Sequence, residues 1–122
     1  MSAYLNQLDL PRNGGAALAA MGAMYLAPIT TFASLIPTGT NPMVAGGAYV
    51  GLMGALGSLI TDQLMYGSFD MMTTVVRGSM MAVGSYAAMK TTNANPMGGS
   101  SAMLEYAAGL ALGGVAAEYL GY

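Results

Sequence analysis

Polar residues in this chain gather in short clusters, and the uncharged stretches between them are long enough to cross a membrane. Residues 44–60 carry no charge. About 20 apolar residues rising ~1.5 Å each cross the hydrocarbon core of a bilayer. Residues 41–66 therefore predict a spanning helix, with Asn41 as its N-cap and Pro42 as its first helical residue. Residues 14–36 form another uncharged run. It predicts a span kinked at Pro28, with Thr30 and Thr31 hydrogen-bonding the backbone groups that the kink frees. The PTGTN run at 37–41 predicts a tight turn between the two.

The second half repeats the plan. Residues 71–89 predict a third span although Arg77 interrupts it. A mid-bilayer Arg costs about 2.5–3.5 kcal/mol on insertion scales, but a side chain this near the segment's start snorkels back to the surface. Residues 101–122 predict a fourth span, with Glu105 near one end and Glu118 near the other. Residues 1–13 read as a polar lead lying at the surface, with none of the pattern of a cleavable signal. The expected fold is all-α and integral to a membrane: four transmembrane helices as two tandem hairpins, 14–66 and 67–122, with both termini on one side.

An internal repeat supports this division. At an offset of 56, residues 54–66 (GALGSLITDQLMY) and 110–122 (LALGGVAAEYLGY) share Ala-Leu-Gly, an acidic residue, a Leu and a Tyr. Asn-Pro-Met precedes each, at 41–43 and 95–97, and Arg12-Asn-Gly is echoed by Arg77-Gly-Ser. Two spans per unit place the units parallel, with the Asn-Pro-Met turns on one side and the acidic ends Asp62 and Glu118 on the other.

Small residues mark where helices meet. Gly47, Gly51, Gly54 and Ser58 follow spacings of four, three and four, and Gly109 and Gly113 form a Gly-x-x-x-Gly pair. Each interior Gly costs a water-soluble helix about 1 kcal/mol relative to Ala. In lipid the same residues let helix backbones approach closely. Spacing alone leaves open whether they meet within one chain or between chains. Asp62, Asp70 and Arg77 are expected to form an interfacial charge cluster in which the two carboxylates neutralise the guanidinium.

Composition narrows the chemistry. The chain is 55% hydrophobic and 7% charged, against about 25% charged residues in soluble domains. With three Lys and Arg and a formal charge of −2, it has no basic patch for phosphates, so nucleic acid is not an expected partner. It has no His and no Cys, which removes the usual general base, thiolate and metal ligands. No catalytic, cofactor or metal site is expected, and the 13 Met residues read as flexible packing.

The expected function is structural: a small multi-pass subunit packing beside itself or other membrane or capsid subunits, with the lipid bilayer as its medium. Two settings fit, the internal membrane of a lipid-containing virus particle and an accessory place in a large membrane complex; the scarcity of soluble mass favours the first. The alternative is an oligomeric pore, holin-like or proteolipid-like. Against it, Asp62 and Glu118 lie near span ends rather than at mid-membrane, where a carboxylate carries ions. Arg12 and Arg77 fall on the side of the termini and Lys90 on the other, so the positive-inside bias makes the termini cytoplasmic or interior.

Overall fold

The computed structural model describes residues 10–94 and 103–122 of the chain. All regular structure among them is helical: α1 (Leu10–Leu26), α2 (Ile29–Ala33), α3 (Pro42–Tyr66), α4 (Met71–Thr92) and α5 (Met103–Tyr119). The four long helices run alternately up and down, α1 against α3, α3 against α4 and α4 against α5, and α5 returns to touch α1. The boundary expected between two hairpins falls in the turn after α3. The α3–α4 seam is as extensive as those within each hairpin, so the helices form one bundle.

Local chemistry sets the helix ends. Asn41 accepts from Met43 N–H at 2.8 Å and Pro42 opens α3, as the sequence pattern predicts. Gly67 closes α3 in the left-handed conformation at φ 76°, where a side chain would be strained, and its N–H reaches Gln63 O at 3.0 Å. Asp70 caps α4 by accepting from Thr73 N–H at 3.3 Å and from the Thr73 hydroxyl at 2.9 Å. Asn93 ends α4 at φ 57°.

Three expectations need correction. Pro28 breaks the first apolar run instead of kinking it: α1 stops at Leu26 and a five-residue α2 follows. Proline has no N–H to give, and it disfavours helix at the residue before it. The carbonyl left over is Met24 O, and the side chain that satisfies it is Tyr49, not Thr30 or Thr31. The Tyr49 hydroxyl reaches Met24 O at 3.2 Å and Ala27 O at 2.6 Å.

Second, the polar lead ends earlier than expected, because Leu10 to Asn13 already belong to α1, while residues 1–9 lie outside the described residues. Third, four helices of spanning length are not found. Among the described residues α3 alone, at 25 residues, is long and apolar enough to cross a membrane. At 17 residues each, α1 and α5 fall short of the roughly 20 that crossing needs. α4 has 22 residues, but Arg77 lowers its hydropathy. The second Asn-Pro-Met, at 95–97, lies outside the described residues.

Tyr49→Phe is expected to destabilise the folded protein by about 1–3 kcal/mol, the cost of leaving buried acceptors unpaired. Adding Pro28→Ala should recover part of that loss, since residue 28 then supplies an N–H to Met24 O. Reversible unfolding in detergent followed by circular dichroism measures both; equal losses in the single and double variants would detach Tyr49 from the break at Pro28.

Candidate functional site

The contacts between helices are made on backbone. A Cβ placed on Gly51 would stand 3.0 Å from Gly78 O and 2.7 Å from Ala82 Cβ. One on Gly78 would stand 2.9 Å from Gly51 O. Gly47 lies one turn along the same α3–α4 seam, against Ala82 O at 3.1 Å. Gly54 turns instead to Met81 and Leu110 in the bundle's interior. On α5, Gly109 lies against Ser85, and a Cβ on Gly113 would stand 2.5 Å from the Met81 backbone. All five glycines named from spacing therefore pack inside the chain. Ser58 is buried, and its hydroxyl has no hydrogen-bond partner among the described residues.

Spacing missed Gly57, Gly78 and Gly114. Gly57 brings α3 onto Ala16 and Ala20 of α1, with a Cβ there standing 2.9 Å from Ala20 N. Gly57 closes the Ala-Leu-Gly of residues 54–66 and falls outside the four-three-four spacing, so a one-face reading passes over it. Gly114 leaves room for Asn13, whose Oδ1 would lie 2.9 Å from an added Cβ.

Charged groups meet where α1 and α4 begin and α3 and α5 end. Arg12 forks onto Asp62, Nε to Oδ1 at 2.6 Å and Nη2 to Oδ2 at 2.8 Å, the geometry in which a guanidinium binds a carboxylate best. Arg77 is fully buried. Its Nη1 donates to Asn13 Oδ1 at 2.7 Å, its Nε to the backbone oxygen of Tyr122 at 3.1 Å and its Nη2 to Glu118 Oε1 at 3.4 Å. Arg12 Nη1 shares that Tyr122 oxygen at 3.2 Å, so one acceptor joins the two cations.

This corrects the expected pairing. Asp62, Asp70 and Arg77 do lie at one end of the bundle, but Asp62 is held by Arg12 and Arg77 by Glu118. Asp70 spends its carboxylate on the cap of α4 and, with Arg12, Asp62 and Tyr66, lines a cleft of about 310 Å³. The signal for the true pairing was in the repeat: Arg12 and Arg77 echo each other, and so do Asp62 and Glu118. In each half the cation of the first long helix meets the acid of the second.

Burial carries the same correspondence. Every buried residue of α5, namely Glu105, Tyr106, Gly109, Leu110, Gly113, Gly114 and Ala117, lands at the offset of 56 on a buried residue of α3. The inward rows of α1 and α4 also match: Arg12, Ala16, Ala20 and Met24 beside Arg77, Met81, Ser85 and Met89.

The fold and this polar end define an all-helical bundle with small residues and ion pairs inside, and with one helix able to cross a membrane. No family model, curated protein or solved structure matches the chain.

Two predictions follow from this geometry. Arg77→Met should destabilise the bundle by about 3–5 kcal/mol, because Glu118 and Asn13 are left facing no cation in a dry site. Arg77→Lys should cost less, and chemical denaturation in detergent ranks the two; equal stability would mean that the pairing carries no weight. Gly51→Leu and Gly113→Leu should each lower the thermal stability of the isolated protein in detergent, by at least the 1–3 kcal/mol typical of overpacking. Wild-type melting of the double variant would refute the backbone contacts.

Proposed function

We propose that the chain is a small integral membrane protein whose role is structural, with α3 crossing the bilayer and α1, α4 and α5 embedded beside it. The observation that carries this reading is where the large apolar side chains point. Midway along the bundle Leu18, Leu52, Val83 and Leu112 are 74%, 47%, 65% and 63% exposed, while Ala16, Ala20, Gly54 and Gly113 are buried. A bundle in water keeps its leucines inside and its charges outside; here these four large side chains face outward, although Tyr49, Val50, Met81 and Leu110 fill the core, and Arg77 is fully buried. Among the described residues, charges are confined toward the two ends, with Arg12, Asp62, Asp70, Arg77 and Glu118 at one and Lys90 and Glu105 at the other. With the first end on the cytoplasmic or interior side, Arg12 and Arg77 obey the positive-inside rule.

The same packing favours a scaffold over a pore. Val50, Met53, Met81 and Leu110 belong to one buried apolar cluster between the two polar ends, so among the described residues no polar path runs through a single copy. Conduction would require a ring of copies. In the structural reading the outward apolar surface meets lipid and neighbouring membrane or capsid subunits, in a lipid-containing virus particle or a large membrane complex. Catalysis plays no part in it.

Single cysteines test the embedding in sealed vesicles. Cysteines replacing Thr40 and Asn93 should be labelled from one side and one replacing Ser68 from the other. Labelling of Thr40 and Asn93 positions from opposite sides would remove α4 from the membrane. A steady ion flux through vesicles holding the purified protein would replace the scaffold with the pore.

A further inference from the structure

Among the buried positions at which the two halves differ, one exchanges a phenol for a carboxylate. Glu105 on α5 is the counterpart of Tyr49 on α3. Tyr49 sends its hydroxyl to the carbonyls of Met24 and Ala27, and Phe32 of α2 lies against its ring at 5.7 Å. In the second half, the place corresponding to Ala27 is taken by Thr92, whose hydroxyl donates to Glu105 Oε1 at 2.9 Å. A phenol that closes its own site is thus replaced by a carboxylate. Glu105 is 8% exposed, and its Oε2 has no hydrogen-bond partner among the described residues.

Glu105 also lines a cavity of about 440 Å³ between α4 and α5. Apart from Glu105, Thr91 and Thr92 its wall is apolar, formed by residues such as Gly84, Ala88, Ala108 and Leu112. Leu104 and Leu112 on its rim are strongly exposed, which puts it on the outer face of the bundle. A buried carboxyl oxygen with no donor is costly in such a place. A cation at the end of an apolar trough, with room for a chain, is the chemistry that answers both features.

We propose that this groove seats a bilayer lipid with a primary ammonium headgroup, the ammonium donating to Glu105 Oε2 and an acyl chain lying along Gly84, Ala88, Ala108 and Leu112. The inference rests on the membrane embedding proposed above. A primary ammonium offers N–H donors and a quaternary one offers none, so the site selects phosphatidylethanolamine over phosphatidylcholine.

The test uses the full chain reconstituted in vesicles containing equal amounts of the two lipids with identical acyl chains. Flotation first establishes insertion, and native mass spectrometry from mild detergent then counts retained lipid. Wild type should keep phosphatidylethanolamine at least tenfold over phosphatidylcholine. Glu105→Gln should bring that ratio near one with the helical circular dichroism unchanged. Ala108→Phe, which fills the trough and leaves the carboxylate in place, should reduce retention of both lipids. Insertion with equal retention by wild type, or a preference that survives Glu105→Gln, overturns the lipid site alone. Failure to float overturns the membrane reading and the site with it.

Discussion

Everything in this bundle depends on helices approaching until their backbones touch. Gly51 and Gly78 face each other across the α3–α4 seam, Gly57 opens α3 to α1, and Gly113 opens α5 to α4. At such separations a single added methyl has no place to go, and the gain is dispersion contact and Cα–H···O geometry along the seam, each contact small and the sum large. In lipid, where burial of apolar side chains offers no drive between helices, this is the interaction that remains. It also explains the inverted distribution of residues. Small side chains are spent on the seams, so large ones such as Leu18, Leu52, Val83 and Leu112 are left to face outward.

Backbone packing alone does not set register, and the charged end supplies it. Arg12 with Asp62 and Arg77 with Glu118 tie the first helix of each half to the second, and the shared Tyr122 oxygen ties the halves together. A buried ion pair is a poor source of net stability, because desolvation consumes most of its Coulomb attraction. Sliding a helix by one turn, however, would set the Arg77 guanidinium against Gly114 or Ala17 and take Asp62 away from Arg12. The pairs therefore penalise wrong alignments of helices whose smooth small-residue faces would otherwise tolerate several.

Where the halves depart from each other, the departure has a local cause. Pro28 removes one N–H from the first half, and Tyr49 makes up for it. The second half has no proline at the matching place in α4, so its helix continues to Thr92 and the counterpart of Tyr49 is free to be something else. That position holds Glu105. The asymmetry between a closed aromatic site and an open carboxylate site thus traces to one imino acid some eighty residues away in sequence.

Several features followed from the sequence by itself because they depend on neighbours along the chain or on strict periodicity. Asn41 and Pro42 starting a helix, the turn at 37–41, the all-α class and the correspondence of Asp62 with Glu118 are of this kind, since a cap needs only the next three residues and a repeat needs only an offset. Tertiary structure decided what depends on which faces meet. Gly47 and Gly51 face α4 while Gly54 faces the interior, a division that spacing cannot reveal because a helix of small residues has no single apolar stripe. The predicted topology gathers Asp62, Asp70 and Arg77 at one membrane face and so pairs them, yet Arg12 is placed to take Asp62 with both guanidinium arms and Asp70 is consumed by its own helix terminus. The lengths of the helices also lay beyond composition: an uncharged run sets an upper limit on a span, and Pro28 shortened the one it interrupts, for want of a single hydrogen.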